Sequence, residues 1–422
     1  MQPFALWVLG LIVVRWAAQV GLEWLNRRHV VAHSGAVPPA FRETMDVSTY
    51  ARAVDYTLAR NRFATLELTW GTVVLLGVLF SGVLPRVWQA WADLAGTSAW
   101  AMASGLFLIG VGLSLPGLPL DVWEQFRLEQ RFGFNTTTPG TWVLDRLKSL
   151  VLGALLGIPL LALLVALVKW TGSAWWLWGW GALFAFQCVM LVVAPVVIMP
   201  LFNKFTPLPE GTLRSRLLAL AERTGFLARA IEVMDGSRRS RHANAFFTGL
   251  GRFRKIVLFD TLISQLSEPE LEAVLAHEIG HYRLRHVPKL VAWSAVMTFA
   301  GFAVIAWIAG QSWFFAAFGF GATSVPVALL LFALVSDAVT FWFSPLSHVL
   351  SRKFEYQADA FASAAVGEAG SLIAALRKLH EKNLSNLTPH PLYSGFHYSH
   401  PTLLEREAAL RRVPLSRLPP PP

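Results

Sequence analysis

The densest chemistry in this 422-residue chain lies in five consecutive positions, His277-Glu278-Ile279-Gly280-His281. On a helix, residues four apart share one face about a turn apart, so both imidazoles can reach a single ion. Glu278 then lies beside the open coordination position. There it can take a proton from a water that zinc makes acidic near neutral pH and deliver it to a leaving amine. The flanking residues predict the required helix. Ser267 followed by Glu270 forms a capping box, Pro269 is tolerated in the first turn, and Leu271, Val274 and Leu275 supply an apolar face.

Two histidines leave a catalytic zinc in need of a third protein ligand, which can be His, Asp or Glu. The candidate segment is Ser351-Arg352-Lys353-Phe354-Glu355-Tyr356-Gln357-Ala358-Asp359, where Glu355 and Asp359 are again one helical turn apart. One carboxylate can bind the ion while the other accepts the second N–H of a ligating histidine and fixes its tautomer. Spacing permits either assignment, Glu355 inside with Asp359 behind it, or the reverse.

These residues need a scaffold, and composition says what kind. The chain is 55% hydrophobic, only 15% charged, and has a mean hydropathy of +0.49. Soluble chains carry about 25% charged residues, and the apolar excess here falls in runs, which signals an integral membrane protein. Seven runs are long enough to cross a bilayer: Phe4 to Leu22, Leu66 to Leu84, Ser98 to Leu120, Leu150 to Trp170, Ala174 to Leu201, Val287 to Gly310 and Thr323 to Val349. The first is read as a retained helix and not a signal peptide, because no basic residue precedes it and Arg15 interrupts its apolar core. One cysteine, Cys188, excludes an intrachain disulfide scaffold.

The net charge of +10 is a record of topology. Of the 36 basic residues, 33 fall in alternate connections: after spans one, three, five and seven. The positive-inside rule therefore places the N-terminus outside and the C-terminus in the cytoplasm, and nucleic acid is not needed to explain the charge. The domain organisation that follows is residues 1–201 with five membrane helices, 202–286 as a cytoplasmic segment with the histidine motif, 287–349 with spans six and seven, and 350–422 as a C-terminal cytoplasmic segment. The second of these contains β-like runs at Ile231 to Met234, Ala243 to Thr248 and Lys255 to Asp260; the last ends in the proline tail Pro419 to Pro422. Neither cytoplasmic segment is long enough for a generous core alone, so the two are expected to pack together.

At this point the chain resembles a known family, the type I CAAX prenyl proteases, which are integral-membrane zinc metallopeptidases of the gluzincin group. Beyond the zinc signature the shared motifs are Arg131-Phe132-Gly133-Phe134-Asn135, Pro200-Leu201-Phe202-Asn203-Lys204-Phe205, Asn244-Ala245-Phe246-Phe247, Ile256-Val257-Leu258-Phe259-Asp260 and His397-Tyr398-Ser399-His400-Pro401. The resemblance implies an all-α polytopic membrane protein of about seven helices enclosing a water-filled chamber, with a cytoplasmic α+β metalloprotease domain. It implies one Zn2+ per chain on His277, His281 and Glu355, with Glu278 as general base and Asp359 behind the ligands. It further implies that Asn244 binds substrate backbone beside an open strand edge. His400 and Arg406 would be partners of the scissile carbonyl or its oxyanion. Arg15, Gln187 and Asp337, polar residues in or near apolar spans, are compatible with a chamber lining.

The expected activity is hydrolysis of membrane-associated peptides, as CAAX-type C-terminal processing, with prenylated C-termini as possible substrates, or as membrane-protein quality control. Compact length and the lack of a lysine-based retention tail favour a bacterial inner membrane over the endoplasmic reticulum. The alternative of a different class is a seven-helix transporter or receptor with a structural metal site.

Overall fold

The computed structural model of the chain describes residues 2–42, 45–226, 230–243, 245–248 and 255–412. Asn244 and the proline tail lie outside the described residues. Five long helices come first: α1 (Pro3–His33), α2 (Val47–Phe80), α3 (Ala99–Ser114), α4 (Pro139–Thr171) and α5 (Trp175–Val193). Among the described residues six helical stretches are apolar and long enough to cross a membrane. The longest of them, Pro139–Phe202, doubles back at Gly172 (φ 56°), so that α4 and α5 pack side by side. Six stretches thus provide the seven crossings expected.

Two helices extend well past their apolar runs. α1 continues through Arg27 and Arg28 to His33, and α2 starts at Val47, so both project out of the membrane toward the histidine motif. The last crossing is broken. α9 (Val325–Val335) gives way to short helical turns over Asp337–Phe343, and the chain then resumes as the helix that carries Glu355.

Between the fifth and sixth crossings the described residues form a four-stranded sheet, two long helices and the short helix Asp260–Gln265. The strands are β1 (Phe205–Pro207), β2 (Ala230–Met234), β3 (Ala245–Thr248) and β4 (Lys255–Phe259), in the order β1-β2-β4-β3. β2 and β4 pair in parallel, Ala230 opposite Lys255, and β3 pairs antiparallel to β4, Ala245 opposite Leu258. β4 is central, and its Ile256, Val257 and Leu258 are fully buried, as an apolar run in a covered strand should be. β3 is an edge strand, as its position in the sequence motif suggested. The helix α6 (Thr212–Arg223) precedes β2, and α7 (Glu268–Arg283) carries the histidine motif. Helix α8 (His286–Ile308) is the sixth crossing; α10 (Ser344–Val366), α11 (Gly370–Lys382), α12 (Pro391–His397) and α13 (Leu403–Arg412) complete the described residues.

Two large apolar cores, with a smaller one around Tyr56, Phe132 and Phe134, tie the described residues together. One joins the membrane helices at the end remote from the sheet, with Val8, Ile12, Leu79, Leu106, Val165, Phe302 and Leu331. The other lies around α7 and takes Leu271, Leu275 and Ile279, Ile256 and Leu258 of the sheet, Ala362 and Leu372 from the C-terminal helices, and Val30, Phe41, Tyr50 and Val54 from the first connection. The two aqueous segments therefore share one core, and α1 and α2 contribute to it. Between the cores the interior is polar. One cavity of 610 Å3 is lined by Arg15, Gln19, Glu23 and Glu67, and Arg15 pairs there with Asp337 across the bundle. Large apolar side chains such as Trp7, Val14, Val73, Leu155 and Val296 face outward, which suits a lipid-facing surface.

Candidate metal centre

The motif helix is built as its sequence demands. Ser267 caps α7 in a reciprocal capping box, its backbone N–H donating to Glu270 Oε2 at 2.8 Å. The apolar face of α7 is pinned in the core, which fixes the rotation of the helix and leaves His277 and His281 on the face toward α10. Gly280 then allows α10 to come close. A Cβ at Gly280 would lie 3.1 Å from Ala358 Cα, 3.2 Å from Ala358 O and 3.2 Å from Phe361 Cβ. A side chain here would be tight, because Ala358 and Phe361 meet it with backbone or Cβ atoms that have no rotamer to yield, so the helices would have to part by a few tenths of an ångström.

That approach brings three donors together. His277, His281 and Glu355 each offer an atom within 4.8 Å of the others. His277 Nε2 and His281 Nε2 are 3.1 Å apart; Glu355 Oε2 is 3.4 Å from the first and Oε1 3.3 Å from the second. Glu355 Oε2 is wholly buried and makes no hydrogen bond. Two imidazole nitrogens and a carboxylate converging in this way, with a buried oxygen otherwise unsatisfied, fit a divalent cation of the zinc type. Spacing alone had left Glu355 and Asp359 interchangeable, and the geometry separates them: Glu355 faces the Nε2 atoms, and Asp359 faces the far side of His277.

Asp359 Oδ1 accepts the Nδ1–H of His277 at 2.8 Å, which leaves the Nε2 lone pair directed at the cluster. Arg406, buried on α13, clamps Asp359 with two bonds, Nε to Oδ2 at 2.8 Å and Nη2 to Oδ1 at 2.5 Å. Its remaining nitrogen, Nη1, is 3.8 Å from Glu355 Oε2. His400 Nε2 is 3.3 Å from Glu355 Oε1, and its Nδ1 meets the Ser399 hydroxyl at 2.9 Å. Glu278 is half-buried on the same helix. Seven of the eight candidate residues thus lie in one neighbourhood, and Asn244 falls outside the described residues.

The electrostatics favour positive charge at the centre. Burial alone would lower the pKa of His277, yet the Asp359 and Glu355 carboxylates hold it up at about 9. Burial pushes the Glu278 carboxyl above its ordinary range, with His277 and His281 opposing, so it is a stronger base than a solvated glutamate. Burial also lowers His400, which keeps a neutral imidazole available.

His400 and Arg406 line an interior cavity of 710 Å3 together with Tyr56, Arg60, His242 and Tyr393. Motif residues remote in sequence build its walls. Tyr56 packs edge-on to Phe132 (4.9 Å) and against Phe134 (5.0 Å), and Phe134 stacks on His242 at 4.2 Å. Arg239 joins Asp145 (2.7 Å) to Asn203 (3.1 Å), which ties the membrane helix α4 to the start of the sheet. Two residues that sequence reasoning missed also touch the site. His286 Nδ1 is 3.0 Å from His281 Nδ1, and Gln357 Oε1 is 3.0 Å from His286 Nε2. The available signals were a lone histidine opening an apolar span and a glutamine between Glu355 and Asp359.

Comparison with known proteins matches two family descriptions to consecutive parts of the chain. Residues 26–204 match "CAAX prenyl protease N-terminal, five membrane helices", and residues 207–413 match "Peptidase family M48". The CAAX prenyl protease 1 homolog of Oryza sativa subsp. japonica is 36% identical, over 91% of this chain and 92% of that protein. CAAX prenyl protease 1 of Saccharomyces cerevisiae is 34% identical, over 97% and 96%. The crystal structure of S. mikatae Ste24p superposes with a TM-score of 0.90 at 32% identity, covering 97% of this chain and 99% of that one.

Proposed function

Because the chain belongs to peptidase family M48 and carries ahead of its catalytic part the five-helix membrane portion of CAAX prenyl proteases, it is an integral-membrane metalloprotease, and we propose that it cleaves CAAX-type peptides near their C-termini with zinc. The observation that supports this most is the cluster of His277, His281 and Glu355 beside a large polar cavity. The transporter or receptor reading finds no support in these similarities. A structural zinc site would also close with four protein ligands, whereas the cluster described has three.

His277, His281 and Glu355 would hold one zinc ion, which when bound polarises a carbonyl and acidifies water. The remaining work falls to the chain itself. Glu278, its basicity raised by burial, accepts a proton on its carboxylate from the attacking water and passes it to the amine that leaves. Asp359 keeps the His277 Nδ1 protonated and the ring fixed, and Arg406 holds Asp359. His400, at the cavity wall beside Glu355, donates a hydrogen bond to the oxygen that becomes negative in the tetrahedral intermediate, and the Arg406 guanidinium adds positive charge behind it. The substrate lies as an added strand along β3, the sheet edge, with Asn244 at its start holding the peptide backbone. The basic connections on this side support a cytoplasmic orientation for the site.

The test uses the purified full chain with C-a-a-X-type peptides, mass spectrometry of the products, and a chelator control. Wild type should cleave and the chelator should abolish cleavage. Glu278→Gln should retain metal and lose activity by at least about 100-fold. Cleavage by Glu278→Gln at the wild-type rate would refute the assignment.

A further inference from the structure

His277 has its tautomer set by Asp359, but nothing in the family signature says what sets that of His281. The hydrogen bonds do. Gln357 Oε1 is a carbonyl oxygen and can only accept, so His286 Nε2, 3.0 Å away, carries the proton. A neutral His286 then has its lone pair on Nδ1, and that lone pair faces His281 Nδ1 at 3.0 Å. His281 must therefore be protonated on Nδ1, which leaves its Nε2 lone pair for the cluster. We propose that His286, oriented by Gln357, is a positioning residue that fixes His281 as a metal ligand, in parallel with the Asp359 that fixes His277.

The surrounding structure is shaped to hold this relay. His286 is 1% exposed and stacks flat on Phe354, with ring centroids 4.3 Å apart and planes 9° from parallel, so the ring cannot turn over. Gln357 and Phe354 both belong to α10, the helix that supplies Glu355. His286 reaches this place because the junction between α7 and α8 is a tight reversal. Arg285 sits there in the left-handed region (φ 56°, ψ 40°), a conformation that an arginine adopts at a cost and that the fold must therefore enforce. The relay has an asymmetric design: one histidine is backed by a charged carboxylate and arginine, the other by a neutral imidazole and amide. The first adds negative charge to the ligand set, whereas the second supplies orientation alone.

The inference rests on the metal reading above, and one set of measurements separates the two. Zinc affinity of the full-length protein is measured by competition with a chromophoric chelator, together with the visible absorption of the cobalt-substituted protein, for wild type, His286→Phe, His286→Asn and Gln357→Leu. Phe keeps the ring and its stacking but offers no acceptor, and should weaken zinc binding about 10- to 100-fold with an altered cobalt spectrum. Asn presents an acceptor oxygen near the position of Nδ1 and should stay within about threefold of wild type. Gln357→Leu frees the His286 tautomer and should fall between them. Wild-type affinity in His286→Phe, or equal loss in Phe and Asn, would overturn the relay. If His286→Phe does not fold, unchanged affinity in Gln357→Leu would overturn it as well. A wild type that binds no zinc would overturn the metal reading itself.

Discussion

Gly280→Ala tests whether the close approach of α7 and α10 is what assembles the metal ligands. The added methyl would lie 3.1–3.2 Å from Ala358 and Phe361, whereas unstrained carbon contacts lie at about 3.5–4.0 Å. Relief requires the two helices to part by roughly 0.5 Å, about the tolerance within which a functional site must be held. Overpacking of this kind takes about 1–3 kcal/mol, while replacing glycine by alanine in a helix returns about 1 kcal/mol. Global stability should therefore drop by only about 0–2 kcal/mol. The ligands straddle the contact, so strain released at the cluster weakens zinc binding roughly 5- to 150-fold at 1.4 kcal/mol per tenfold. The assay pairs chelator competition with a thermal melt. Gly301→Ala is the control, since a Cβ there meets nothing closer than 3.8 Å; it should leave zinc affinity unchanged and raise the melt slightly, by the about 1 kcal/mol that alanine returns in a helix. Zinc affinity of Gly280→Ala within twofold of wild type would refute the reasoning.

Other consequences can be measured in the same preparations. Asp359→Asn should lower zinc affinity about 10- to 100-fold, measured by the same competition, because the ring of His277 loses its charged acceptor. Arg406→Ala combined with Asp359→Asn should be clearly less than additive in a double-mutant cycle of zinc affinities, since the arginine acts through the aspartate. Acid should loosen the C-terminal helices. Burial raises the pKa of Glu407, but Arg377 and Arg411 outweigh it and hold the carboxyl below its usual value; the same balance holds for Glu270, where Lys378 opposes burial. Depressed folded-state values contribute stability above the ordinary glutamate pKa of about 4.3, and it is lost as pH falls through and below that value. The melting temperature should fall as pH drops below about 5, and Glu407→Gln should melt lower at neutral pH with a flatter acid slope.

Much of the site was legible because its signals are local. The capping box at Ser267, the apolar face of α7 and the i, i+4 spacing of the histidines all operate within one helix. The choice between Glu355 and Asp359 was not local. Both sit on one face of α10, and only the docking of that helix through Gly280 shows which carboxylate meets the Nε2 atoms. His286 was illegible for the same reason: a histidine at the head of an apolar span has no meaning until the turn at Arg285 places it behind His281. Hydropathy found the crossings but ended α1 too early and began α2 too late, because it marks where the membrane stops and not where the helix does. It also read the last crossing as continuous, although Ser336, Asp337 and Pro345 allow the break between α9 and α10. β1, three residues that end in proline, carries too little periodicity to stand out; it forms because Phe205 pairs with Met234.

The core around α7 draws on both ends of the polypeptide. Val30 and Phe41 come from the first connection, Leu271 and Leu275 from the motif helix, and Leu403 and Leu410 from α13, which also delivers Arg406 to Asp359. During synthesis these pieces emerge at widely separated times, with six of the seven membrane crossings made between the first and the last. The catalytic cluster therefore has no finished support until the final helix has left the ribosome and docked. Until that docking, Asp359 lacks the Arg406 clamp that holds it behind His277.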